Sequence, residues 1–341
     1  MTGFKDMFSC EMYKVNRKKT LLKLAIALVV IIIATAVFSA ILKGVLKDSS
    51  IGGVNGAGGS AAVIESLKNQ ISAFEENQTW LNKLLPDKTL YGLKSQLTMY
   101  EYLNENGIAP NGVTTYGVGN MFEFNFYAFT ETSMSTVMSI LLIFIVVACC
   151  RATTGEYSSG ALKMQFIRPI NKNKFFTAKW LSVFLVAEAF LIASFILSFL
   201  LGVIVFGATA PKVLLLMRAK DVFMTSAFGA LMLGLFFKSI TIFMIVQASM
   251  FICSLCKTNN KALVLGLVFI GFDVGLLAEQ LLAVGYVGYV GFLSNLDWMS
   301  AFSATGPAFK GMSLWTMIPI TLIWGAAFMY ISYKRFNKLE V

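Results

Sequence analysis

Residues Leu24 to Leu42 form an unbroken run of 19 uncharged, largely apolar positions, long enough to cross about 30 Å of hydrocarbon as a helix. Lys23 and Lys43 flank it and can snorkel. Thr132 to Cys150 is a second run of 19 uncharged residues, and Trp180 to Phe206 a third in which Glu188 is the only charge. Val222 to Cys256 then runs for 35 residues with Lys238 alone inside. As one straight helix it would measure about 52 Å, more than a bilayer needs. The preferred reading is a short external or interfacial helix up to about Phe237, followed by a fourth span ending at Cys256. Two separate crossings are the alternative, and they would reverse everything downstream. The short basic loop Lys257 to Lys261 favours one crossing, because it then lies inside. A fifth span begins at Ala262 and contains Asp273, and Met312 to Tyr333 is the sixth. Between them, Gln280 to Leu296 is uncharged and Gly-rich, a re-entrant or interfacial hairpin only if protein buries its backbone. Trp298 and Trp315 are expected at an interface.

Outside these runs the periodicity changes. Phe4, Met7, Phe8, Met12 and Val15 share one helical face, with Lys5, Asp6, Ser9 and Lys14 elsewhere, and Arg17, Lys18 and Lys19 follow. This predicts a helix over residues 1–20 lying in the cytoplasmic interface, ahead of a first transmembrane helix over 21–46. Residues 51–60 read IGGVNGAGGS, a flexible linker by composition. Ile64, Leu67, Ile71, Phe74, Leu81 and Leu85 then follow steps of three and four; after Pro86, Leu90, Leu93, Leu97 and Tyr100 resume until Asn106-Gly107. The pattern predicts a helical hairpin over 61–105 with facing apolar seams. Residues 108–130 read as irregular structure or short strands. The whole segment 47–131 has nine acids against five lysines, which places it outside, opposite in sign to the loop at 151–179.

Composition narrows the function more than the fold. Of 341 residues, 57% are hydrophobic and 13% charged, against roughly 25% charged in soluble domains. The net charge of +10 comes from basic residues at the ends of apolar runs, so it signals topology and not a nucleic-acid partner. Histidine is absent, which removes the commonest general base and zinc ligand. No G-x-x-x-x-G-K-[ST] phosphate loop occurs, so any ATP is bound by another polypeptide. Of the five cysteines, Cys253 and Cys256 form a lone CxxC inside an apolar run, which reads as helix packing. No catalytic set, cofactor site or metal site is expected. Charges inside spans are costly, so Glu188, Lys238 and Asp273 need partners: Asp273 and Lys238 pairing across the bundle, Glu188 lining a path, or each sitting near a span end.

The densest pattern lies between the second and third spans. Arg151 to Lys179 carries six basic residues against one acid, Glu156. Gly155 and Gly160 bracket a short run, Ala161, Leu162, Met164, Phe166 and Ile167 supply an apolar surface, and Pro169 stops a helix. A short helix in a basic cytoplasmic loop offers a handle to a cytoplasmic partner.

This arrangement resembles the membrane subunits of ABC transporters of the ABC-2 exporter type. The resemblance rests on the amphipathic N-terminal helix, six spans, and Glu156, Gly160, Arg168-Pro169 and Lys179 after the second span. It implies that the loop contains a coupling helix docking on an ATP-binding subunit through Glu156, Tyr157, Gly160, Leu162, Lys163 and Arg168. It also makes the helix bearing Phe4, Met7 and Phe8 an interfacial elbow beside that ATPase. The large segment between the first two spans resembles the Gram-positive subgroup that exports toxin peptides or confers bacteriocin immunity.

The expected fold class is therefore an all-α membrane protein: six transmembrane helices, an N-terminal interfacial helix, an extracellular helical domain over 47–131, and five further spans over 132–341. The implied function is the permease subunit of an ATP-driven exporter of amphipathic or hydrophobic peptides in the bacterial cytoplasmic membrane, with both termini cytoplasmic. Its partners would be ATPase subunits holding ATP and Mg, a second permease copy or homologue, and a peptide or lipid-like substrate. The alternative is a membrane protein that binds or senses extracellular peptides through the 61–105 hairpin without transport.

Overall fold

Among the described residues, five of the apolar runs become helices long and apolar enough to cross a bilayer: Thr20–Lys43, Phe126–Ser158, Lys172–Phe206, Ala227–Leu255 and Leu314–Asn337. The computed structural model describes residues 4–16, 19–48, 60–76, 88–108, 113–115, 125–160, 171–209, 211–217, 221–256, 258–274, 290–303 and 312–337. In chain order the helices are α1 (Phe4–Val15), α2 (Thr20–Asp48), α3 (Ser60–Glu76), α4 (Lys88–Glu105), α5 (Phe126–Cys150), α6 (Lys172–Phe206), α7 (Ala227–Leu255), α8 (Asn259–Val274) and α9 (Leu314–Asn337). The strands are β1 (Val113–Thr115), β2 (Lys212–Met217) and β3 (Asp221–Ser226).

The spans extend past the apolar runs because polar residues cap them. Asn125 accepts a hydrogen bond from the Ala128 amide at 2.8 Å and starts α5 six residues before the uncharged run. Asn171 accepts from the Asn173 and Lys174 amides and starts α6 at Lys172. Lys179 thus lies two turns inside a helix of 35 residues, about 52 Å long. That is longer than a hydrocarbon layer of about 30 Å.

The small sheet departs from the all-α expectation. β1 pairs with β2 in parallel, with Val113 opposite Lys212, and β2 pairs with β3 antiparallel, with Lys212 opposite Ser226. Residues 222–226 therefore do not begin an interfacial helix reaching Phe237. Val222, Phe223 and Thr225, suited to a strand by branching or aromaticity, complete the hairpin, and Ser226 caps α7 by accepting from the Gly229 amide at 3.1 Å. What remains is one continuous helix of 29 residues, not two crossings.

Helices α3 and α4 pack on each other through Leu67, Ile71 and Leu103, all buried. Ion pairs Glu75–Lys94 (2.7 Å) and Lys68–Glu101 (2.9 Å) run in opposite sequence directions, so the two helices are antiparallel. Helix α4 also touches β2 and β3, which puts this pair and the sheet at one end of the bundle, the sheet end.

The opposite end is basic. Helix α1 packs on α6 there, and the last turn of α9 lies beside the start of α6: Tyr333 hydrogen-bonds Thr177, the Phe336 ring meets those of Phe175 and Phe176, and Asn337 Nδ2 donates to Asn173 at 2.7 Å. Near the sheet end, Ser133 of α5 bonds Ser198 of α6 at 2.9 Å, and the Lys43 ammonium of α2 lies 5.3 Å from the centre of the Phe206 ring.

Residues 290–303 lie between α7 and α9 in non-helical and 3₁₀ turns. Thr241, at the midpoint of α7, donates to the Leu296 carbonyl at 3.1 Å, and Thr321 of α9 donates to that of Asn295 at 2.8 Å. Irregular backbone is tolerated at membrane depth only when protein satisfies it, and these hydroxyls do so. Trp298 is buried within the protein, its ring against Phe237 and its indole N–H on Thr321, whereas Trp315 is 76% exposed. A broad belt of exposed apolar side chains covers α2, including Ile26, Val30, Ile33, Val37 and Phe38. That surface suits lipid or another apolar helix.

Candidate functional site: a buried charge ring at the basic end

Helix α5 does not stop at Cys150. Arg151–Gly155 continues it as a π-helical turn, and Glu156–Ser158 adds a last α-helical turn. A π register shifts backbone donors to the carbonyl five residues back. The hydroxyls of Thr153 and Thr154 donate instead to the Cys149 and Cys150 carbonyls, at 2.7 and 2.9 Å. The chain then turns at Gly160, whose φ of +71° is a left-handed conformation open to glycine. This extension carries Glu156 beneath the bundle, against α1 and α6.

Four charges close a ring there. Lys14 Nζ lies 2.6 Å from Glu11 Oε1 and 2.8 Å from Glu156 Oε1. Lys179 Nζ lies 3.1 Å from Glu11 Oε2 and 2.6 Å from Glu156 Oε2. Each lysine thus touches both carboxylates and each carboxylate uses both oxygens, so the group is neutral as a whole. The side chains of Lys179 and Glu11 are 0% and 2% exposed, Glu156 13% and Lys14 30%. The Phe175 ring supports both ammonium groups, with Lys179 Nζ 4.5 Å and Lys14 Nζ 5.9 Å from its centre. Burial works against the charge on Lys14, but its hydrogen bonds with Glu11 and Glu156 outweigh that and raise its pKa above the ordinary lysine value.

Chemically the ring is two ammonium groups shared between two carboxylates, and it acts as a junction. It ties the N-terminal helix, the end of α5 and the start of α6 into one unit. Such a network stabilises only while intact, because removing one partner strands a buried charge.

The sequence pattern marks some of this and misses the rest. Met7 is buried and Phe8 half-buried against the protein core, and Phe4 is exposed. The inward side of α1 also includes Glu11 and Lys14, where the amphipathic reading puts Lys14 off the apolar face. Glu11 stands one helical turn from Met7 and Phe8, and a charge at that spacing within an apolar stripe is the available signal. Lys179 is flanked by Phe175, Phe176 and Trp180, again a charge in an apolar setting. Glu156 is the predicted coupling residue that the ring absorbs. Tyr157 is half-buried and faces a neighbouring pocket. Leu162, Lys163 and Arg168 lie outside the described residues.

The intramembrane charges are dispersed. Glu188, midway along α6, accepts from Ser239 of α7 at 2.7 Å through Oε1, while its Oε2 is buried without a hydrogen-bond partner. It is not near a span end. Lys238 lines a small pocket with Glu131 and Tyr127. Asp273 belongs to α8, but its side chain lies outside the described residues. Cys253 does not act with Cys256; its sulfur lies 3.4 Å from that of Cys150, joining α7 to α5. Among the described residues no group of three metal-ligating side chains occurs.

Comparisons with known proteins carry the membrane character but name no activity. The chain is similar to "Uncharacterized protein YhcI" of Bacillus subtilis (strain 168), 24% identical over 296 residues that cover 81% of this chain and 88% of the relative. It is also similar to "Uncharacterized membrane protein YdbK" of the same organism, 24% identical over 219 residues, 64% of this chain and 84% of that protein. The match to a family runs from the middle of α4 to the C-terminal residue, taking in Glu156 and Lys179 but not Glu11 and Lys14. Over residues 96–341 the chain belongs to the family described as "Protein of unknown function (DUF2705)".

Proposed function

We propose that this protein is the transmembrane subunit of an ATP-driven exporter of the ABC-2 type, moving amphipathic or hydrophobic peptides, with nucleotide hydrolysed on a separate subunit. The observation that carries the reading is the charge ring. A permease that receives a push at the loop after its second span must pass it to neighbouring helices, and Glu156 is bonded to both α1 and α6. The path of the chain supports a sixth crossing that begins with α8. Asn259 stands at the basic end, where Thr154 donates to it at 3.3 Å, while the turn Trp298–Phe302 touches β2 at the sheet end. The basic end is then cytoplasmic by the positive-inside rule, and the α3–α4 pair with the sheet is extracellular. A second permease subunit would cover part of the exposed apolar belt.

The mechanism follows from linkage. Nucleotide binding moves the spans only if the ATPase dimer prefers one of their two arrangements. The test is co-expression with an ATP-binding cassette subunit and purification through a tag on this chain. The expected result is a stable complex whose ATP hydrolysis is stimulated by amphipathic peptides and weakened by Arg168→Ala, which removes a predicted docking residue outside the ring. If no nucleotide-hydrolysing subunit associates, and the isolated protein shields cells from peptide without energy, the non-transporting receptor reading replaces it.

A further inference from the structure

Beside the ring, and separate from it, an open pocket of about 560 Å³ lies between the end of α5, the start of α6, the end of α7 and the end of α9. Its size is in the range of small-molecule sites. Its walls are of two kinds. Leu255 and Ile331 give an exposed apolar side, 43% and 37% accessible. Lys334 and Arg335, in the last turn of α9, give a cationic rim, with Tyr330 one turn earlier.

The charge balance here is opposite to that of the ring. Among the described residues that line the pocket, none is acidic. Among the described residues, Lys334 and Arg335 make no ion pair; the Lys334 ammonium has only the Tyr330 ring, 5.8 Å away. Lys14 and Lys179, at the same end, are fully matched by carboxylates. Of the hydroxyls in its wall, those of Thr153, Thr154 and Ser254 already donate within the protein, to the carbonyls of Cys149, Cys150 and Phe251. The site therefore presents uncompensated positive charge next to apolar surface, at the ends of membrane-spanning helices.

We propose that this pocket binds one anionic phospholipid, its phosphate held by Lys334 and Arg335 and its acyl chain laid along Leu255 and Ile331. A soluble anion would leave the apolar wall wet, and a neutral lipid would leave both cations unmatched. Guanidinium and ammonium groups recognise phosphate by charge-assisted hydrogen bonds, and basic pockets between transmembrane helices take anionic head groups. The site does not depend on the transport reading, since a lipid can occupy it in the isolated subunit.

The experiment is native mass spectrometry of the delipidated, purified protein titrated with phosphatidylglycerol, phosphatidylcholine or glycerol 3-phosphate. One retained phosphatidylglycerol per chain is expected, with weaker phosphatidylcholine. Each cation is worth about a fivefold change in affinity, so Lys334→Gln with Arg335→Gln lowers retention about 25-fold. The exchange Lys334→Arg with Arg335→Lys keeps it, and so does Arg151→Gln, a charge at the same end that does not line the pocket. Equal losses from Arg151→Gln and the double glutamine variant mean diffuse surface attraction and overturn the proposal. Equal binding of glycerol 3-phosphate makes the site one for a soluble phosphate and overturns the lipid assignment. If the glutamine variants retain lipid but lose an associated ATPase, the pocket belongs to a protein partner instead.

Discussion

Lys179→Met tests the ring most directly, because it keeps the length of an aliphatic stem in a fully buried place and removes only the ammonium. Glu11 and Glu156 would then keep Lys14 through their Oε1 atoms and lose the contacts at 3.1 and 2.6 Å through Oε2. Two carboxylates would share one cation, and Glu11 is 2% exposed. Breaking a buried pair from one side costs about 3–5 kcal/mol, whereas a solvent-exposed pair would cost about 0–1 kcal/mol. The two ranges do not overlap, so the measurement decides. Unfolding in mixed micelles, followed by the fluorescence of Trp180 next to the ring, supplies the free energy. A second substitution, Glu11→Gln, removes the stranded charge and leaves Lys14 with Glu156 alone. The double variant should therefore be more stable than the two single losses added together, by at least about 1.5 kcal/mol. A loss under about 1 kcal/mol for Lys179→Met, or additivity within about 0.5 kcal/mol, would refute the junction.

Alkaline pH probes the same group from Lys14. Its pKa is raised from 10.5 in the folded protein, so its contribution is fully present below the unfolded value and is lost as pH rises through the folded one. Wild-type stability should fall more steeply than that of Lys14→Met between about pH 10 and 12; parallel curves would show that Lys14 is not held by the carboxylates. The α5–α8 contact gives an independent check on packing. A Cβ on Gly266 would stand 2.7 Å from Val146 Cγ1, so Gly266→Ala should destabilise by about 1–3 kcal/mol and Val146→Ala in the same chain should restore most of it, whereas equal loss in both backgrounds would place the two helices differently.

The spans were legible because hydropathy is local: a run such as Leu24 to Leu42 needs no knowledge of its neighbours to be placed in a membrane. The sheet was legible only in β1, which lies in the 108–130 segment read as irregular structure or short strands; β1 and β2 are brought together from about a hundred residues apart, and the apolar residues of β3 merge into the run of α7 in any hydropathy window. A strand hairpin beside a span differs from more helix only in Val222, Phe223 and Thr225, a weak signal. The ring fell between two kinds of reading. Periodicity sorted α1 into an apolar face and a polar remainder that holds Lys14, and left Glu11 unassigned; the family resemblance implied Glu156 as a contact for a partner subunit. Only tertiary structure shows that three segments, each with an unexplained charge, neutralise one another. The rule that would have found them is that a charge standing within an apolar face needs a partner from elsewhere in the chain.

The ring and the π turn together constrain how the basic end could move. A displacement of Glu156 taken up within the ring would separate it from Lys179, which has no solvent to replace the contact, so α1 and the start of α6 would have to follow. The link toward α7 and α8 is of another kind: a contact between the thiols of Cys150 and Cys253 and a hydrogen bond of 3.3 Å from Thr154 to Asn259, neither of which carries a full charge. Between these unequal attachments lies Arg151–Gly155, where helical hydrogen bonding is already in its wider register and two threonine hydroxyls hold the carbonyls. A short stretch with an alternative bonding pattern costs less to rearrange than a regular helix. Motion driven from the loop after Gly160 would thus carry α1, the end of α5 and α6 as one body and bend α5 at the π turn, whose Thr153 and Thr154 line the pocket. Lipid in that pocket and force at the ring would then act on the same hinge.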